Sequence, residues 1–150
     1  MRIFRQRIPA RTSDAPPDAA LTLAYERRIR SRQRLCLDNG EEIGLQLPRG
    51  TILRHGDRLL GDDGLVVLVK AAREPLSHAR TEDPLRLARA CYHLGNRHVP
   101  LQIDPDGLYY LRDDVLDALL QGLGLAVAHV EAPFHPEPGA YQGHDHGRAA

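Results

Sequence analysis

The chain has no surplus of either charge, only two cysteines, a single lysine and no long apolar run, and each shortage removes a class of function. With 20 basic and 20 acidic residues the formal charge is zero, so no global field draws the protein to nucleic acid or to an anionic membrane. Cys36 and Cys91 lie far apart and form no Cys-x-x-Cys pair. That argues against a structural zinc site or a secreted disulfide framework and for a reducing cytoplasm. No stretch approaches the roughly 18 apolar residues of a membrane helix. The arginine-rich start, Arg2, Arg5, Arg7 and Arg11, is interrupted by Gln6 and Pro9 and leaves no signal-peptide core. Catalytic signatures are missing as well. There is no His-Glu-x-x-His, no Gly-rich phosphate loop closed by Lys-Ser or Lys-Thr, and Lys70 stands alone. Asp62-Asp63 and Asp113-Asp114 fall at a turn and a helix start, where aspartate is expected anyway. These readings describe a cytoplasmic protein that is not an enzyme and has no nucleic-acid or membrane partner.

What is present reads as an α+β chain, an N-terminal all-β domain followed by a ferredoxin-like βαββαβ domain. Its 150 residues can bury one ordinary core or two small ones. Residues 10 to 19 are small, polar and proline-containing, so 1–19 is expected to be a flexible leader, with structure beginning near Ala20. Leu21, Leu23 and Tyr25 alternate as on a strand. Leu35 and Leu37, then Asp38-Asn39-Gly40-Glu41, then Ile43, Leu45 and Leu47 predict a β-hairpin with a type I′ turn at Asn-Gly. Further strands are expected at Thr51 to Arg54, Arg58 to Leu60 and Leu65 to Lys70, which completes a β-rich domain over 20–74. The five arginines from Arg27 to Arg34 read as a solvated strand edge that could equally dock an acidic partner.

From Pro75 the period changes. A strand to Arg80 precedes a helix capped by Thr81 or Asp83, with Pro84 in its first turn and Gly95-Asn96 at its end. Two strands follow, Val99 to Ile103 and Tyr109 to Leu111, around a turn at Asp104-Pro105-Asp106-Gly107. A second helix carries Val115, Leu116, Leu119, Leu120 and Leu123, and a last strand runs from Leu125 to Val130. This β-α-β-β-α-β order over 75–134 is the ferredoxin-like pattern, whose helix-free sheet face would be available for dimerisation. Residues 135–150 are expected to be a flexible tail.

Half of the eight histidines fall in two segments, His93-Leu94-Gly95-Asn96-Arg97-His98 and Gly143-His144-Asp145-His146. Neutral imidazole suits borderline metals such as nickel, zinc and copper, so the pair of segments suggests a metal carrier. Alternation with Pro100 and Gln102 puts His98 on the helix-free face, where a two-fold axis could bring two copies together. A surface or interface histidine without metal is the competing reading. His93, in the last helical turn, fits capping or solvation better than ligation. Cys91 and Cys36 read as packing residues. His144 and His146 form a His-x-His pair on glycine-rich backbone, a style of weak ligand that also arises without function. His135 is either a further ligand or an accident, and His55, His78 and His129 have no partners at metal spacing.

Several separated motifs carry a family resemblance from about Leu21 to His146. They are Leu47-Pro48-Arg49-Gly50, Leu53, Gly56-Asp57, Asp63-Gly64, Val69, the His93 to His98 segment, Asp114-Val115-Leu116, Pro133-Phe134, Gly139-Ala140-Tyr141 and the Gly-His-Asp-His tail. In these the chain resembles the urease accessory metallochaperones of the UreE type. The resemblance implies an N-terminal domain that contacts partner proteins and a C-terminal domain that binds metal and forms a homodimer. It implies delivery of Ni(II) to the urease active site through the accessory GTPase and its complex with the urease apoprotein. His98 matches the family's central ligand, given by both chains, and His144 and His146 match its mobile tail ligands. Zn(II) or Cu(II) could take nickel's place, because imidazole alone does not select nickel. A tail with only these two histidines does not suit storage, and Arg112 and Asp114 stand where some relatives carry further histidines. The alternative is a non-catalytic adaptor of urease maturation that binds metal only adventitiously.

Overall fold

The computed structural model describes residues 1–12, 14 and 16–139. The chain forms two compact units that divide between Ala72 and Arg73. The first contains β1 (Arg2–Ile8), β2 (Ala19–Leu23), a single turn of helix α1 (Tyr25–Arg28), β3 (Arg32–Cys36), β4 (Glu42–Gln46), β5 (Arg58–Gly61) and β6 (Val66–Ala71). Its six strands form one sheet in the order β2-β6-β5-β1-β4-β3. Phe4, Leu21, Leu35, Ile43, Leu45, Leu59, Val67 and Val69 belong to its core.

The leader expected over residues 1–19 is not what residues 2–8 form. They make an inner strand, parallel to β4 and antiparallel to β5, and Phe4 is completely buried. The arginines that obscure its alternation are matched by acids from elsewhere in the unit. Arg7 Nε lies 2.7 Å from Asp57, Arg5 pairs with Asp62 at 2.8 Å, and Arg2 meets both Asp63 and Glu41. Glycine opposite β1 makes room for it. A Cβ on Gly44 would lie 2.6 Å from Ile3 Cδ1, and Gly61 pairs with Phe4. Residues Ala10–Thr12 form a 3-10 turn whose first amide donates to Asp57.

The hairpin of β3 and β4 forms as expected, with a different turn. Leu37 N–H donates to Glu41, Gly40 N–H donates to Leu37, and Gly40 alone in the turn has positive φ, at 92°. This is a three-residue loop closed by a left-handed glycine rather than a two-residue type I′ turn. Thr51 to Arg54 form no strand, and the Leu53 amide donates to Arg28 instead. The arginine run divides: Arg28 is buried in α1, whereas Arg32 and Arg34 are exposed on the edge strand β3.

The second unit runs β7 (Arg73–Arg80), α2 (Pro84–Asn96), β8 (Gln102–Asp104), β9 (Gly107–Leu111), α3 (Asp114–Gly122) and β10 (Ala126–Pro133). The antiparallel strand order β10-β7-β9-β8 is that of a ferredoxin-like fold. Asp113 caps α3 by accepting from the Val115 and Leu116 amides. Leu116, Asp117 and Leu120 are the buried residues of α3, while Val115, expected in the apolar stripe, is 67% exposed. Among the described residues no helix is long and apolar enough to cross a membrane.

The helix-free face is not left open. Cross-strand register places Leu76, His78, Tyr109 and Gln102 on it, because their neighbours Ser77 and Tyr110 reach α3 from the other side. After β10 the chain crosses this face to the far edge. The His135 amide donates to Gln102 Oε1 at 2.8 Å and the Glu137 amide donates to the Leu101 carbonyl at 2.7 Å. Phe134 and Leu76 are both completely buried, as side chains enclosed between this crossing segment and the sheet would be. The tail expected from residue 135 is thus tied down as far as Glu137.

Candidate metal centre

Helix α2 positions His98. Asp83 accepts the Leu85 amide, Pro84 fills the first turn, and Ala90 and Leu94 are the helix's buried residues. The helix does not stop at Gly95-Asn96. Both are helical, Arg97 is the C-cap, and His98 takes the left-handed conformation with φ 57°, the only non-glycine with positive φ among the described residues. The His98 amide donates to Gly95 at 3.0 Å and the Val99 amide to Leu94 at 3.2 Å. These two bonds are a Schellman motif, in which a left-handed residue, usually glycine, satisfies the last carbonyls. Val99 and Leu94 join the same core cluster, the hydrophobic contact that accompanies the motif.

His98 is therefore not part of the strand on the helix-free face, as alternation from Gln102 suggested. It sits exposed on the turn that ends α2. His93 is also exposed, in the last turn of α2, with the ring of Tyr92 edge-on to it at 5.6 Å. Tyr92 and Leu85 are 67% and 57% exposed, so the outer face of α2 carries apolar surface as well.

The remaining histidines have other partners. His55 Nδ1 accepts the Ala71 amide, and His78 stacks on Tyr109 at 4.1 Å with Nε2 2.9 Å from the Asp106 carbonyl. His135 is held through its amide as described. His144 and His146 lie outside the described residues. Cys36 is exposed rather than packed, whereas Cys91 is partly buried against the core, which raises its thiol pKa. Among the described residues no three His, Cys, Asp or Glu side chains converge to hold a metal ion.

A buried polar cluster escaped the sequence. Asp117, 8% exposed, accepts from Ser77 Oγ at 2.6 Å and Tyr110 Oη at 2.8 Å through one oxygen, and from His129 Nε2 at 2.7 Å through the other. It ties α3 to three strands at once. Burial pushes the carboxyl pKa up, but the hydrogen bonds from Ser77, His129 and Tyr110 outweigh this and hold it below the ordinary value. Burial, then the bond to the carboxylate, raises the Tyr110 phenol. The available signal was an acid inside the apolar run Val115-Leu116-Asp117-Ala118-Leu119-Leu120.

Comparison with known proteins shows the family of the chain. Residues 4–72 match the model of the UreE urease accessory protein N-terminal domain, and residues 74–150 match that of its C-terminal domain. The chain is 55% identical over 143 residues to the urease accessory protein UreE of Alkalilimnicola ehrlichii, covering 95% of this chain and 86% of that relative. It is 53% identical over 136 residues to the protein of the same name from Citrobacter koseri, covering 87% and 90% of the two chains. With the Proteus mirabilis UreE the identity is 48% over 141 residues, covering 94% and 88%. The chain belongs to the UreE family of urease accessory proteins.

Proposed function

We propose that the chain serves urease maturation as a non-catalytic nickel carrier, with one Ni(II) held between two copies by His98 of each and closed over by His144 and His146 of the tail. The observation that supports this most is the left-handed backbone at His98. Glycine would occupy that position at lower energy, and strained backbone of this kind clusters at functional sites. A single exposed imidazole cannot make a tight site, and among the described residues no three His, Cys, Asp or Glu side chains form a group that could hold a metal ion. The missing ligands then come from a second copy and from the tail. Exposed Leu85 and Tyr92 on α2 give that copy apolar surface to cover.

The crossing segment supports the tail's part. It brings the backbone at Glu137 to Leu101, three positions after His98. The seven residues from Glu137 to His144 span at most about 25 Å, ample reach for a ligand. Nickel is assigned through the family, since imidazoles alone would take zinc or copper as readily. Transfer proceeds by ligand exchange: the His98 pair anchors the ion while the tail ligands leave one at a time. The receiving partners are the urease accessory GTPase and its complex with the urease apoprotein, met in the cytoplasm through the β-rich unit.

Calorimetry of nickel binding tests the assignment. His98→Ala should abolish tight binding, and unchanged affinity would overturn it. A second reading, an adaptor that binds metal only adventitiously, is favoured by the arginine-lined edge of β3. It predicts that metal-free protein still matures urease when nickel is scarce.

A further inference from the structure

The sheet of the first unit nearly closes on itself, and the place where it fails to close is chemically specific. Its two edges, β2 and β3, meet at one point. The Asp38 amide donates to the Ala20 carbonyl at 2.9 Å, and the Asp38 carboxylate accepts from both the amide and the hydroxyl of Thr22. Beyond that tie the edges are unpaired among the described residues, and a cleft of about 380 Å³ lies between them. Buried Leu23 and Leu35 line it, as do Arg27, Arg34 and exposed Cys36, with Glu42 the one acid among its walls.

The hydrogen-bond alternation of β3 shows which backbone groups face this gap. Ser31 and Leu37 bond inward to the β4 side, through the Leu47 amide and the Glu41 carbonyl, whereas Asp38 bonds outward. In an antiparallel pair the directions alternate residue by residue, so Arg32, Arg34 and Cys36 present their N–H and C=O groups outward. The same residues have exposed side chains, while Leu35 points into the core. Arg30, Arg32 and Arg34 form no ion pair among the described residues, in contrast to Arg2, Arg5 and Arg7 of β1.

We infer that the free edge of β3 is a docking site for an extended acidic segment of a partner protein, which adds to the sheet as a further strand. Backbone pairing to Arg32, Arg34 and Cys36 supplies its attachment. Acidic side chains at every second position lie opposite Arg32 and Arg34 on the solvent face, and the alternate apolar side chains turn toward Leu23 and Leu35. Unpaired edges with arginine can also be a device against aggregation. Two features favour docking: the cleft with its apolar lining beside the edge, and a cluster of arginines left without acids in a chain of zero net charge. The inference concerns the first unit only and is independent of nickel.

A fluorescently labelled peptide of alternating glutamate and valine, titrated with the full-length protein, tests it. The peptide should bind, added salt should weaken it, and the β3 amides of Arg34 and Cys36 should exchange more slowly with solvent in the complex. The double variant Arg32→Glu/Arg34→Glu should bind at least about tenfold more weakly, since two opposite-charge cross-strand pairs become like-charge pairs. Both side chains are exposed, and unchanged exchange in β1 and β5 of the free variant would verify that it folds. Equal binding of a lysine-valine peptide, full affinity in the double variant, binding without slower exchange in β3, or no binding at all would each overturn the inference.

Discussion

Replacing Asp117 with alanine removes one acceptor from three donors at once. Ser77 and Tyr110 are completely buried, so both hydroxyls lose the carboxylate they share where water cannot substitute, at about 1–3 kcal/mol apiece. The His129 side chain is 45% exposed and can turn to solvent, so it adds little. The expected loss is therefore about 2–6 kcal/mol, confined to the second unit. Amide exchange reads this directly: protection in β7, β9 and β10 should fall by about thirtyfold or more, while β1, β4 and β5 stay as they are. A change below about twofold, as for an ordinary surface substitution, would mean that Asp117 does not hold these strands to α3. The carboxylate also sets a pH dependence. Its folded pKa lies below its unfolded value, so its contribution is complete above about pH 4 and is lost as pH falls further through the folded pKa. Asp117→Asn should flatten that part of the acid profile.

Three other expectations bear on the fold and the centre. His98→Gly should stabilise the end of α2 by about 1 kcal/mol, seen as slower exchange of the Val99 amide, while removing the proposed ligand; no gain would mean that the left-handed backbone carries no strain. Phe4→Ala should cost the first unit about 3–5 kcal/mol in urea unfolding, whereas a true leader would tolerate it freely. Deleting residues 143 to 150 should weaken nickel binding in calorimetry and leave the mass by light scattering at that of a dimer. In the intact protein affinity should fall as the medium is acidified, because protons compete with the metal for the ligand nitrogens.

Local chemistry made much of this fold legible. Asn39-Gly40 marked the β3–β4 hairpin, Asp83-Pro84 marked the start of α2, and the strand-helix order gave the ferredoxin-like unit. What stayed hidden depends on partners distant in sequence. β1 reads as a polar segment until Asp57, Asp62 and Asp63 neutralise its arginines. Asp117 is a lone acid in an apolar run, and nothing in the run itself shows that Ser77, Tyr110 and His129 meet it from three strands. The end of α2 was misplaced because Gly95-Asn96 imitates a C-cap. The apolar pair Leu94 and Val99, five positions apart, was the signal that the left-handed residue is His98. The crossing segment could not be foreseen, because its bonds run from backbone amides to Leu101 and Gln102 and leave no mark in residue type.

A metal site shared between two chains is read out by nickel titration with the mass determined in parallel. The tight site should saturate at about one nickel per two chains in a particle of dimeric mass, since His98 of each copy contributes to one ion. Tight binding of one nickel by each chain in a monomeric particle would contradict it.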